Sequence, residues 1–192
     1  MSQSPDWRNR RWAATHQRIY DAAIALFQQH GFESVSVGQI AREAGVSVPT
    51  FYAHYPSKEH VVMQLPTADD LAALLATQPA DLPVADRIRR AAPAWFAQWS
   101  GDFRAAQLAR WRIIASTPSL RTRAAEFERA TAGMVADALP GKTGTSLGPG
   151  DAVVINAYLS ALTAGVLAWA DSNGEAELEQ LVEEAFDALQ RH

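Results

Sequence analysis

The chain has 192 residues, 48% apolar and 20% charged, enough to bury a core of ordinary globular size. It contains no cysteine, which excludes disulfides, thiolate metal sites and a cysteine nucleophile. Net charge is −4 but uneven: residues 1–65 hold six Lys/Arg against five Asp/Glu, and the remainder is acidic.

Affinity for a polyanion depends on positive charge where the phosphates lie, not on the overall sum. Residues 1–13 read as a mobile arm whose Arg8, Arg10 and Arg11 suit phosphate or minor-groove contacts. A solvated basic tail is the alternative. A first helix is expected from about Thr15 to His30, with Ile19, Ala23, Leu26 and Phe27 as its apolar stripe and Gly31 closing it. Ser36 and Gln39 form a capping box for a second helix that carries Val37, Ile40, Ala41 and Ala44 on one face. Gly45 then suits a left-handed turn. Ser47 caps a third helix with Pro49 in its first turn, and Phe51 and Tyr55 share its inner side. Pro56 ends that helix and Ser57 caps the next. Helix, glycine turn, helix is the layout in which the second helix enters the major groove of DNA.

Ile40-Ala41, Ala44-Gly45-Val46-Ser47, Thr50-Phe51-Tyr52 and His54-Tyr55-Pro56-Ser57-Lys58-Glu59 resemble, in register, the signature of TetR-type transcriptional regulators. Ala22 to Val37 resembles that family's first helix and following loop, so the likeness covers about the first third of the chain. It implies an all-α fold: an N-terminal three-helix DNA-binding domain (1–65) and a helical ligand-binding and dimerisation domain (66–192). It also implies DNA contacts from Thr50, Tyr52, His54 and Lys58, and Ser36, Ser47, Val48 and Pro49 complete the expected DNA-facing set. Val48 departs from the charged or polar residue usual at its position, and Pro49 follows it. They cannot read base edges by hydrogen bonds, and suit thymine methyl groups instead.

Further along, Thr67 caps a helix through Leu71, Leu74 and Leu75, and residues 78–83 form a linker. Three helices follow, at about Val84–Trp99 (with Pro93 a kink site), Asp102–Ser116 and Pro118–Leu139. Trp95, Trp99, Phe103, Trp111 and Phe127, with Tyr158 beyond, either fill a core or line an apolar effector cavity. Leu108 to Ala130 resembles the mycofactocin-regulator subgroup, which implies an acyl-CoA-like effector and possible phosphate contacts from Arg104, Arg110, Arg112, Arg121 or Arg123. A solvated basic face is the plainer reading of any one of them. Residues 140–150 read as a loop; Gly141-Lys142-Thr143 lacks the earlier glycine and the strand of a phosphate loop.

Asp151 is expected to cap an apolar helix to about Ala170, and a helix over 175–190 is amphipathic. Leu159, Leu162, Val166, Leu178, Val182 and Phe186 are the expected contacts of a homodimeric four-helix bundle; the alternative is that both helices cap their own protomer. Ala152–Ala170 is interrupted by Asn156, Ser160, Thr163 and Gly165, so no membrane span is expected, and the polar N-terminus is no signal peptide. A cytoplasmic protein follows. No metal site or cofactor is expected: His54 and His60 are six apart across Pro56. No nucleophile, acid–base set or phosphate loop supports an enzyme. The expected function is transcriptional regulation, most simply a repressor released from a palindromic operator by a small apolar or amphipathic effector. The rival is a DNA-binding protein with no effector pocket.

Overall fold

The structure, a computed structural model, describes residues 5–64, 66–139 and 148–191. The expected 140–150 loop lies outside them, save its last three residues. Among the described residues every regular element is a helix: α1 (Pro5–His30), α2 (Val37–Glu43), α3 (Val48–His54), α4 (Glu59–Val62), α5 (Ala68–Ala76), α6 (Val84–Phe96), α7 (Gly101–Ser116), α8 (Pro118–Ala138), α9 (Pro149–Asp171) and α10 (Leu178–Gln190). The chain divides into two compact units, 1–64 and 65–192.

In the first unit, Ile19, Ala23 and Phe27 of α1 are buried with Ile40 of α2, Phe51 of α3 and Val61 and Val62 of α4. Helices of seven residues do not hold themselves together in water. α2 and α3 persist because the α1 stripe supplies their missing core. The sequence placed the start of α1 near Thr15; the helix instead begins at Pro5.

The second unit is built around α9, which packs against α6, α7, α8 and α10. Ile155, Val166 and Trp169 of α9 are fully enclosed, together with Phe96, Leu178 and Phe186. At 23 residues, with a mean hydropathy of 1.7 over its most apolar stretch, α9 is long and apolar enough to cross a membrane by length and composition alone. Its apolar side chains are instead matched by those of neighbouring helices, as in any central helix. Gly165 is required where α9 meets α10. A Cβ there would lie 2.8 Å from the Val182 Cα and 2.9 Å from its backbone nitrogen.

Polar ties join the helices around this core. Arg89 of α6 holds both Glu183 and Asp187 of α10. Arg104 of α7 meets Glu179 at 3.1 Å, and Arg121 of α8 meets Asp171 at 2.8 Å. α10 starts at Leu178 rather than 175, because Asn173 and Gly174, both at positive φ, and the turn after them use the intervening residues. α9 starts at Pro149, so Asp151 is its third residue; its carboxylate accepts the Gly148 N–H at 3.0 Å.

Candidate nucleic-acid interface

Caps fix the start of α2 and both sides of the turn between α2 and α3. Ser36 Oγ accepts the Gln39 N–H, and Gln39 Oε1 accepts the Ser36 N–H at 2.8 Å. After α2, Gly45 sits at φ +65°, where its N–H reaches the Arg42 carbonyl and Val46 N–H reaches that of Ala41. This paired closure is the Schellman motif, and its left-handed residue favours glycine. Ser47 caps α3 by accepting the Thr50 N–H at 3.1 Å, and the Ser47 and Thr50 hydroxyls lie 2.7 Å apart. Three of the expected DNA residues, Ser36, Ser47 and Thr50, are therefore bound into caps.

With Phe51 fully buried and Tyr55 nearly so, the outer side of α3 is Val48, Pro49, Tyr52 and Ala53. Val48 is 41% exposed and Tyr52 53%. This surface is uncharged. It offers one phenol and two apolar side chains of a size to meet thymine methyl groups.

Lys58 is placed differently from its expected role. Its Nζ donates to the carbonyls of Phe32 at 2.9 Å, Val35 at 3.1 Å and Glu33 at 3.5 Å, and lies 4.3 Å from the Phe32 ring centre. An ammonium has three donors, and all three have acceptors here. Lys58 ties the α1–α2 loop to the start of α4; the phosphate contact implied by the resemblance is not the use to which this geometry puts it. No sequence periodicity marks that tie, because its partners are backbone atoms more than 20 positions upstream. Ser57 is likewise not a formal cap: its hydroxyl is engaged by Glu59 and by His60 Nδ1 at 2.9 Å.

The mobile arm is also corrected. Arg8, Arg10 and Arg11 stand exposed on a continuous helix. That helix is fastened to α3 by a stack of rings. Trp12 lies 4.8 Å from both His16 and His54, and His16 lies 4.2 Å from Tyr55. The Tyr55 hydroxyl donates to the His16 carbonyl at 3.4 Å. Trp12 and His16 continue the three- and four-residue helical spacing of Ile19 and Ala23, a signal present in the sequence. Burial lowers the titration of both imidazoles from the usual 6.5, and in His16 the neighbouring His54 adds to it. Neither Nδ1 has a hydrogen-bond partner.

In the second unit the expected effector residues do not form one lining. Trp99 and Tyr158 are buried in the core, Trp99 against Phe96 and Trp169, Tyr158 against Phe186. Trp95 and Trp111 pack partly buried on that same core. Phe127 is half-buried on α8, and Phe103 is 51% exposed on the first turn of α7. Among the arginines, Arg104 and Arg121 are committed to the ion pairs above. Arg112 and Arg123 are exposed, while Arg110 is buried and donates to Gln107 at 2.7 Å. Sequence reasoning missed Arg87, 4% exposed, which donates to the Leu75 carbonyl at 3.2 Å. Its spacing from Ala91 on the inner stripe of α6 was the available signal.

The six expected dimer residues are mostly enclosed by their own chain. Leu159, Val166, Leu178, Val182 and Phe186 are buried within the protomer, and only Leu162 is partly open. Their stripe is the line along which α9 and α10 meet other helices of the same chain. The exposed side of α9 is Val153, Asn156, Ser160, Ala164 and Ala168.

Two outcomes follow from the geometry of the first unit. Lys58→Met keeps the aliphatic stem on Phe32 and removes the three donors. It is expected to destabilise the fold by about 1–3 kcal/mol, seen as a lower urea midpoint; an unchanged midpoint with weakened DNA binding would return Lys58 to the phosphates. Second, the folded state holds His16 and His54 below 6.5, so the unfolded chain takes up protons first on acidification. Stability from this pair is complete above about pH 6.5 and falls as pH drops below it. Urea midpoints measured across that window should show a slope that a His16→Gln, His54→Gln protein reduces.

Residues 19–65 match the model of bacterial regulatory proteins of the tetR family, and residues 82–192 match the MftR C-terminal domain. A protein of Mycobacterium tuberculosis named for mycofactocin biosynthesis regulation, MftR, is 33% identical over 144 residues, covering 70% of each chain. The repressor KstR of Rhodococcus jostii is 40% identical over 47 residues, 24% of this chain and 22% of its own. Among solved structures, NalD of Pseudomonas aeruginosa, the secondary repressor of a multidrug efflux pump, aligns with a TM-score of 0.57 at 21% identity over 94% of this chain and 96% of its own. FadR of Bacillus subtilis in complex with stearoyl-CoA aligns at 0.52 and 18% identity, over 90% and 96%. Both structures share the fold. With a matched DNA-binding module ahead of a matched MftR-type domain, this chain belongs to the TetR family of bacterial transcriptional regulators and is not an enzyme.

Proposed function

We propose that the protein is a homodimeric repressor that holds a two-fold operator through paired α3 helices and releases it when an amphipathic effector binds the second unit. The observation that carries the reading is the outer side of α3, where capping on both sides of the turn leaves Val48, Pro49 and Tyr52 presented outward. A two-fold protein reads a two-fold site with fixed half-site spacing. An effector that binds better to the geometry unsuited to DNA must lower DNA affinity by linkage. The MftR-type second domain and the stearoyl-CoA held by the FadR neighbour support long-chain acyl-CoAs as the first effectors to try. A regulator without an effector is favoured by one observation: Trp99 and Tyr158 are already packed into the core.

Selection of bound duplexes from a random pool tests the reading. A palindromic consensus is expected, and Tyr52→Ala should weaken binding to it several-fold without loss of helix content. Absence of enrichment by a folded protein would overturn sequence-specific regulation. A consensus whose affinity no acyl-CoA alters would favour the effector-free alternative.

The dimer face is proposed on the open strip of α9, where Ser160, Ala164 and Ala168 allow close helix approach. Ala164→Glu is expected to convert dimers to monomers in light scattering, because an unpaired charge is costly in a packed interface. A dimer that survives it would place the contact elsewhere.

A further inference from the structure

We infer that the amino-terminal turns of α1 form a rigid second DNA-contacting element, set in register with α3 by the Trp12–His54 stack, in which Arg8 and Arg11 reach phosphates flanking the α3 site and Arg10 does not. This rests on the proposed DNA-binding role of α3.

α1 spans 26 residues, about 39 Å at the helical rise. Its buried stripe begins only at Ile19, so the turns from Trp7 to Ala14 stand beyond the small core they extend. From Trp7 to Tyr20 there are four arginines and no carboxylate. Trp7 and Trp12 are 42% and 52% exposed. A lone basic helix in water would gain little from two exposed tryptophans. Here Trp12 has a use: it covers His54, the last residue of α3, and His16 behind it covers Tyr55. Stacked rings of this kind contribute about 0.5–1.5 kcal/mol beyond their buried area. They join the extension to the very helix whose outer side is free.

A helix turns 100° per residue, so its side chains are not equivalent. Arg8, Trp12 and His16 are spaced by four and lie along one line, the line that meets α3. Arg11 and Arg18 lie beside that line, about 100° and 120° round from Trp12 on one flank. Arg10 lies about 160° from both Arg8 and Trp12, on the far side. A mobile arm would make Arg8, Arg10 and Arg11 interchangeable; a helix fixed by Trp12 makes them unequal. The groups recognised are backbone phosphates, since Arg8 and Arg11 present only donors and the fixed helix cannot thread a groove as an unfolded arm does.

The experiment measures binding of the full chain to its selected duplex by fluorescence anisotropy over a series of salt concentrations. Arg8→Ala and Arg11→Ala are each expected to lower the log–log salt slope by about one unit per bound protomer, with affinity roughly eightfold lower per protomer at 0.1 M salt. Arg10→Ala should leave both unchanged. Trp12→Ala, a positioning change that removes no charge, should lower the slope as Arg8→Ala does while the circular dichroism of the protein persists. Equal losses from all three arginines, or slopes unmoved by Arg8→Ala and Arg11→Ala when the unmodified protein binds, would overturn this inference alone. No binding by the unmodified protein would overturn both it and the proposed function.

Discussion

The shared burial of Ile40, Phe51 and the α1 stripe of Ile19, Ala23 and Phe27 is the constraint on which the DNA-binding unit depends. α2 and α3 are too short to be helices on their own, and caps worth about 1 kcal/mol each do not make up the difference. Removing the α1 stripe would therefore dissolve the presentation of Val48, Pro49 and Tyr52. The Lys58 ammonium performs a related task from the other side. By collecting three carbonyls of the α1–α2 loop, it sets the path by which the chain leaves α1 and enters α2. The three helices thus form one object, and the exposed face of α3 is a by-product of a well-filled interior.

The second unit has a different logic. Its central helix is apolar almost all round, so specificity of packing comes from shape and from the charges at its rim. Arg89, Arg104 and Arg121 each join one helix to another at the edge of the core, where their carboxylate partners remain in water. Surface pairs of this kind contribute little to stability. Their value is in fixing how the helices are placed, which hydrophobic contact alone leaves loose. The burial of Arg87 and Arg110 shows that guanidinium groups also enter the interior, where each finds an oxygen of the chain.

Much of the first unit was legible because its signals are local. Ser36 with Gln39, Gly45, and Ser47 with Pro49 each act within four residues, and the structure uses each as its spacing implies. The family resemblance covered the same stretch. Legibility failed where partners are distant in sequence. Nothing near Lys58 announces the carbonyls of Phe32 and Val35, and nothing near Trp12 announces His54. In the second unit, apolar periodicity correctly marked which sides of α9 and α10 are buried, but not what buries them. Leu159, Val166, Leu178, Val182 and Phe186 were assigned to a partner subunit because a stripe looks the same whether a helix of the same chain or of another lies across it. The aromatic residues failed similarly: Trp99 and Phe103, four apart, look like one lining, yet the start of α7 at Gly101, at φ +52°, lies between them, with one side chain inward and the other out.

The contact at Gly165 constrains motion as well as packing. Side chains in most helix pairs act as bearings: they change rotamer and let one helix slide by fractions of a turn. Where Gly165 faces the backbone of Val182, no side chain stands between the two main chains on the α9 side, and a slide would drive peptide groups together. α9 and α10 are therefore coupled as a single stiff lever. Any signal that crosses the second unit must tilt the two as one, or be carried by the helices around them.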